Sequence, residues 1–329
     1  MENTEEIVDV ETYQGEFTHP SPRENDQVFI SANTIAGSLE EIKYRHIIPV
    51  FVKDNEPAIS QSEFIEATQE VVSNFFTGEH ILKPVIRLSH PIKGRIPEAR
   101  NKPAIDLLEV EKTLYYERMM FAIEIPSIQD TIDGNTLSLM IGGVKAYNLD
   151  NLNSKKGSDE HFKIFIGFKN RVCTNLCVWT DGYMSDIRAF SPGHLKTFIR
   201  DLLERYNANF HLCNLKQLVN HSLTERQFAT LIGGARMYQY IPANQKKSIS
   251  PLQLGENQIA SVCRDYYRDH SFSRRADGSI NLWKLYNLLT GANKSTYIDQ
   301  FLERSVNSFE FIEQVRFALE GKEGSWYLN

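Results

Sequence analysis

The sequence predicts an α+β protein: a central antiparallel sheet followed by a helical C-terminal third. Three observations predict it. Between residues 118 and 183 the apolar residues alternate or run unbroken, in "FAIEIPSI", "NTLSLMIGGVKAY" and "FKIFIGFKNRVCTNLCVW", as they do in strands. The runs are separated by turn signals, "DGN" at 133–135 and "NSKKGSDE" at 153–160, and Asp-Gly-Asn between such runs predicts a hairpin. From Pro192 onward the apolar spacing becomes that of a helix.

The other elements follow along the chain. "HIIPVFVKDN" (46–55) is rich in β-formers and reads as a strand, with Pro49 favouring an edge. "SQSEFIEATQEVVSNFFTG" (60–78) reads as a helix. Ser60 or Ser62 can cap it, Phe64, Ala67, Thr68, Val71, Val72, Phe75 and Phe76 fall at helical spacing, and Gly78 can end it. "ILKPVIRLSHPIKGRIPEARNKP" (81–103) reads as a strand running into an extended, exposed loop, and "AIDLLEVEKTLYYERMM" (104–120) as a helix. Five helices are expected over 191–209, 224–240, 250–269, 279–291 and 297–321, three of them capped by Ser191, Thr224 and Ser279. "IGGVKAY" (141–147) and "IGGARMY" (232–238) nearly match. The first sits in a period-two run and the second in a helical one, so the match is not a duplication.

Charge divides the chain. Residues 1–26 carry eight acids and one base, while the remainder of a protein with net charge −6 is almost neutral at +1. This gives three regions: a disordered acidic tail (1–26), a mixed α/β region with the antiparallel sheet (27–190), and a mainly helical region packed on the sheet (191–329). The tail is compatible with a solubilising arm and with one that folds back on a basic face. No apolar run is long enough to span a bilayer, and the acidic N-terminus does not read as a secretory signal. Four cysteines in 329 residues are too few for a disulfide framework. A cytoplasmic protein with reduced thiols, no membrane contact and no bound zinc is expected.

No catalytic signature stands out. There is no phosphate loop, no Gly-x-Ser-x-Gly elbow and no HExxH frame. Asp159 and Glu160 lie in a polar turn and read as solvated. Cys173 and Cys177 are four apart, and His211, Cys213 and His221 form a loose group, but these spacings follow no zinc ribbon or knuckle. In a strand, residues 173, 175 and 177 would share one face, with the thiols as core and Asn175 needing hydrogen-bond partners. No catalytic residue, metal or cofactor is assigned.

Basic and aromatic residues cluster better. Residues 83–102 hold six bases, among them Lys93, Arg95, Arg100 and Lys102, against Glu98 alone. Lys169 and Arg171 flank the last run of the sheet. "RDYYRDHSFSRR" (264–275) interleaves Arg264, Arg268, Arg274 and Arg275 with Tyr266, Tyr267 and Phe272. Cations neutralise phosphate and aromatic faces stack on bases, so these residues are the candidates for single-stranded nucleic-acid binding or annealing. The near-neutral body and acidic tail favour instead a protein-interaction module acting on a host or element protein. An enzyme with a dispersed site is the third possibility. Oligomeric state is not readable.

"SLMIGGVKAYN", "HFKIFIGFKNRVCTNLCVW" and "LWKLYNLLTGAN" carry a resemblance as well. They resemble an uncharacterised family of phage- and plasmid-borne proteins, and more closely a branch carried on conjugative elements, from about residue 40 onward. One family motif falls here on Arg171, Val172, Cys173 and Asn175, and a Trp-x-x-x-Asn-x-x-Thr segment on Trp283, Asn287 and Thr290. The turn ahead of the first motif departs from the family pattern and reads "SKKGSDEHF". That branch is itself a domain of unknown function, so the resemblance implies a mobile-element setting and little chemistry. A structural role for the Cys-x-Asn pair, such as an amide closing a sheet-to-helix turn, is one reading.

Overall fold

The fold was described from a computed structural model, which defines residues 28–46, 59–150 and 159–328. The acidic tail, most of the 46–55 strand and the Lys155–Lys156–Gly157 turn lie outside these residues. The strands are β1 Thr34–Gly37, β2 Val85–Ser89, β3 Ile92–Arg95, β4 Lys112–Tyr115, β5 Arg118–Ile132, β6 Asn135–Ala146, β7 Glu160–Asn170, β8 Leu176–Ala189, β9 Ser222–Leu223 and β10 Ile280–Asn281. The helices are α1 Leu39–Arg45, α2 Gln61–Phe75, α3 Pro192–Arg205, α4 Ala208–Gln217, α5 Glu225–Tyr238, α6 Ala243–Lys246, α7 Glu256–Arg268, α8 Leu282–Asn293 and α9 Ile298–Leu319.

Six strands form one antiparallel sheet in the order β1-β2-β5-β6-β7-β8, and most helices follow it in sequence. This is the α+β arrangement expected. The β5–β6 hairpin closes as the Asp-Gly pair dictates. Asp133 and Gly134 both have positive φ (50° and 77°), and Ile132 pairs with Asn135, the geometry whose twist matches that of the strands. Pro126 sits where the β5–β6 register shifts, so its missing N–H interrupts no ladder.

Alternation along the central strands sorts side chains to two faces, and both are buried. Met119, Phe121, Ile123, Leu139, Ile141, Phe162, Ile164 and Ile166 join one core with α2, α3, α5, α7 and α8. Met120, Ala122, Met140, Val144, Phe165 and Val178 join another with Phe29, Ile30 and the first half of α9. The second half of α9 returns to the first core through Phe309, Phe311, Ile312 and Val315. Burial on both faces is the reason "FKIFIGF" is apolar at nearly every position.

Ser60 caps α2 in a capping box with Glu63, and Gly78, at φ 90°, follows the helix end. α2 lies close on the sheet. The Phe64 ring meets Phe121 and Phe162 edge-on at 5.0 and 4.9 Å. A Cβ at Gly143 would stand 2.4 Å from that ring and 2.6 Å from the Lys163 carbonyl oxygen. The strand "IGG" is thus a close-approach site, whereas a Cβ at Gly233 in the helical "IGG" would meet nothing within 4 Å. The two similar heptapeptides do occupy a strand and a helix.

Several expectations need correction. Residues 104–120 are not a helix. They form 3-10 turns at Ala104–Asp106 and Glu109–Glu111, then β4 and the start of β5. Thr113, Leu114 and Tyr115 are β-formers with a partner strand available, and pairing with Ile92–Gly94 outweighs local helix propensity. The extended loop at 90–103 is correspondingly half of a hairpin. Glu160 is not solvated: it is buried, 2.9 Å from the fully buried ammonium of Lys145, which also bonds Asp150 and lies over the Phe162 ring. The helix expected from residue 250 starts at Glu256, because Leu252 and Leu254 are core residues of an irregular segment. Asn281, not Ser279, caps α8. The 191–209 helix breaks after Arg205, and Asn207 caps a separate α4.

Gly143→Ala should destabilise by about 1–3 kcal/mol, because neither β7 backbone nor the Phe64 ring can retreat without moving α2. A denaturant midpoint equal to that of the parent protein would contradict this packing account.

Candidate functional site

The twelve basic and aromatic candidates fall at two ends of the sheet. Lys93, Arg95, Arg100 and Lys102 lie on or beside the β3–β4 hairpin, next to the start of β5. Lys169 lies opposite Ser138, and Arg171, where β7 turns into β8, donates its backbone N–H to the Thr136 carbonyl. β6 runs from Leu137 to Ala146 between these ends, a distance of about 30 Å at strand rise. The segment 264–275 joins the second group: α8 begins beside the β5–β6 turn, where Asn281 Nδ2 donates to Asp133 at 3.1 Å, and Lys284 holds the Ser273 carbonyl.

Most of these groups are already engaged. Lys102 pairs with Glu111, Lys169 with Glu124, Arg264 with Asp265 and Arg274 with Glu225. Arg95 donates to the Lys102 carbonyl, and Arg275 to Ser222 and Ser279. Tyr266 offers no face for base stacking. It is fully buried, its ring 4.0 Å from Phe228 and parallel to it, its hydroxyl bonded to Gly278 O. Tyr267 is half exposed, but its hydroxyl donates to Glu225 and Arg274 lies over its ring at 4.9 Å. Lys93, Arg100, Arg171 and Arg268 are exposed and have no hydrogen-bonded or ion-paired side-chain partner among the described residues.

The hairpin itself has a character that the sequence reading missed. β2 and β5 are neighbours in the sheet, so residues 90–117 are an excursion between two paired strands. Its base is fixed by Arg118 N donating to Ser89 Oγ, by Ile96 N donating to Glu111 O, and by a bridge from His46 to Leu114. Over 92–115 the five bases meet Glu98, Asp106, Glu109 and Glu111, so the basic stretch is neutralised by its own returning strand to a net of +1. The excursion is tipped with apolar side chains: Ile105 is 93% exposed, Val110 81% and Leu108 60%. Its acidic return, apolar between Asp106 and Glu111, was masked in the sequence by a helix-like spacing.

The two motif segments meet. Residues 171–175 are not a strand but the β7–β8 loop, with Thr174 at φ 57°. Cys173 and Asn175 therefore do not share a strand face with Cys177, which is buried in the core. The loop is clamped to α8. Asn170 Nδ2 donates to Asn287 Oδ1 at 3.0 Å, Asn175 Nδ2 to the Asn287 carbonyl at 2.8 Å, and the Asn287 amide to Trp283 O at 2.9 Å. The Lys294 ammonium reaches the Cys173 carbonyl and Thr174 Oγ1. Burial pushes the Cys173 thiol up to about 11, so it carries little thiolate at neutral pH. Sheet and helix are joined by side-chain amides, as one reading of Cys-x-Asn supposed.

His211, Cys213 and His221 do not converge. His211 is buried, sharing a 2.6 Å hydrogen bond with the Tyr206 hydroxyl. Cys213 is exposed two residues further along α4, and His221 faces Glu320 at 3.2 Å. Among the described residues no three His, Cys, Asp or Glu side chains gather as metal ligands, and no helix is long and apolar enough to cross a membrane.

The chain belongs to the family described as "Domain of unknown function, B. Theta Gene description (DUF3871)", whose model matches residues 16–328. No curated protein and no solved structure matches it.

Two outcomes are expected of this core. Asn287→Ala should cost about 2–4 kcal/mol, since it strands the buried Asn170 amide and leaves a cavity; an unchanged unfolding midpoint would remove the clamp. The second concerns pH. Burial depresses His211 to about 3, so it is neutral when folded, while the unfolded imidazole binds a proton near pH 6.5. Its contribution is complete above pH 6.5 and is lost as pH falls toward 3, by at most about 1.4 kcal/mol per unit. Replacing His211 and Tyr206 together by Phe should make stability fall less steeply with pH between 6.5 and 4.5, read from urea midpoints, with buried His46 and His161 supplying the remaining slope.

Proposed function

We propose that this protein is a protein-interaction module whose hairpin excursion, residues 90–117, seats in a groove on a partner. The observation that carries the reading is the exposure of Ile105, Leu108 and Val110 together on one projecting excursion. Single exposed apolar residues are ordinary, but a contiguous set on a long connection marks an interaction surface. Burying each such side chain contributes about 1.5–3 kcal/mol before ordering costs. Lys93 on β3 and Arg100 in the same excursion, both exposed and without an ion-paired carboxylate among the described residues, favour a groove edged with acidic side chains. A cytoplasmic protein of a mobile element, acting on a host or element protein, is the setting that the motif resemblance and the cysteine usage support.

Single-stranded nucleic-acid binding is the second reading. Arg171 and Arg268, exposed and without a hydrogen-bonded or ion-paired side-chain partner among the described residues, together with the half-exposed Tyr267 next to Arg268, favour it.

One set of measurements separates the two. A partner recovered with the full chain is purified and its affinity measured against Ile105→Asp with Val110→Asp. A loss of at least tenfold is expected with the thermal midpoint unchanged, since both residues are exposed. Equal affinity would sink the excursion as the docking element. Oligonucleotide binding that survives these substitutions, weakens with Arg171→Ala and Arg268→Ala, and falls steeply with salt would place the second reading first.

A further inference from the structure

α5 is packed on one side only. Phe228, Leu231 and Ala235 enter the core. On the opposite side Arg226, Ala229, Thr230, Gly233, Met237 and Tyr240 recur at helical spacing and are all exposed. Tyr240 belongs to this face because the chain continues to turn past the helix end, its N–H donating to Met237 O at 3.0 Å. The face carries no acid. Arg236, at its margin, pairs with Glu256, whereas Arg226 has no hydrogen-bonded or ion-paired side-chain partner among the described residues. Met237 is 63% exposed and Tyr240 79%. Trp326, itself partly exposed, flanks them: a Cβ at Gly234 would stand 3.4 Å from its ring. The solvent side of a surface helix ordinarily carries charged residues, so large apolar side chains grouped there mark a contact surface.

The pattern about Gly233 identifies what covers this face. A glycine midway along an exposed helix costs stability relative to alanine. Gly233 lies within the helix, has no positive φ, and a Cβ there would meet nothing within 4 Å. Nothing inside the chain therefore calls for glycine, but a second helix crossing at this point could approach closely, since side chains at the contact set the distance between packed helices. The rest of the face complements itself. In an antiparallel pair of α5 helices related by a two-fold axis at Gly233, a residue some places after it meets one about as many places before it on the second copy. Tyr240 then receives Arg226, an unpaired guanidinium on an exposed ring. Met237 lies over Ala229 and Thr230, a large side chain on small ones. Each match occurs twice.

We propose that α5 is a self-association surface, pairing antiparallel about Gly233 with α5 of a second copy of this chain. No residue of the hairpin excursion takes part. One helix pair with its flanking Trp326 falls below the roughly 1,200 Å² of a stable complex, so the dimer is reversible and in the micromolar range. Sedimentation equilibrium of the full chain between about 5 and 500 µM should show a monomer–dimer equilibrium. Met237→Lys, which adds a like charge to an acid-free face, should weaken it tenfold or more with the parent far-UV spectrum, and Arg226→Gln severalfold. Gly233→Ala distinguishes pairing from a merely structural role. It should raise the thermal midpoint of the monomer, alanine being the better helix former, and yet weaken pairing severalfold, because each added Cβ holds the helices apart. Ile105→Asp with Val110→Asp should leave the dimer unchanged. A chain that stays monomeric throughout, or a dimer that is insensitive to Met237→Lys and Gly233→Ala, overturns the proposal.

Discussion

The clamp between the β7–β8 loop and α8 is the contact on which the arrangement turns. The Asn287 side chain receives an amide from Asn170 at the end of β7 and its carbonyl one from Asn175, and Lys294 at the end of the same helix grips Cys173 and Thr174 between them. α8 is buried around nearly its whole circumference, with Trp283, Leu285, Tyr286, Leu288 and Leu289 in the core. A helix apolar all round has no preferred rotation from hydrophobic packing alone. Directional amide bonds at one point select one rotation and one height, and α7 and α9, which pack on α8, inherit that position. Hydrogen bonds of this kind add modest net stability but strong geometric selection, since a slip would strand buried polar groups.

The same division of labour is visible in the sheet. Non-directional burial on both faces supplies most of the driving force, and polar contacts decide register and orientation. Lys145, enclosed between Asp150 and Glu160, is the extreme case. A buried charge so placed tolerates only the strand register that brings both carboxylates to it. α9 then closes the molecule by serving both cores, its first half packed in one and its second half in the other.

Legibility in the sequence followed how local the deciding physics was. The Asp133–Gly134 hairpin, a serine cap at residue 60 or 62 and the Ser191 and Thr224 caps depend on neighbours in the chain, and were readable. β4 was not, because its strand state depends on Ile92–Arg95, and its own spacing imitates a helix. Glu160 looked solvated because its partner Lys145 lies across the sheet. The basic stretch 83–102 looked like a charged surface because Glu111, which pairs with Lys102, returns only through the hairpin. Lys163 and Glu303, far apart in sequence, give no signal until α9 is laid on β7.

β2 and β5 remain hydrogen-bonded neighbours at the very points where the excursion leaves and re-enters the sheet, with Leu88 opposite Met119. The chain therefore enters and exits this appendage through one doorway a single strand-spacing wide. Lengthening or shortening between Arg95 and Lys112 leaves this strand pairing in place, at an entropic cost that grows only with the logarithm of the inserted length. The scaffold can stay fixed across relatives while the projecting segment diverges. Grafting a foreign segment between Arg95 and Lys112 is correspondingly a way to change the appendage while Tyr115 and Tyr116 keep their places in the body.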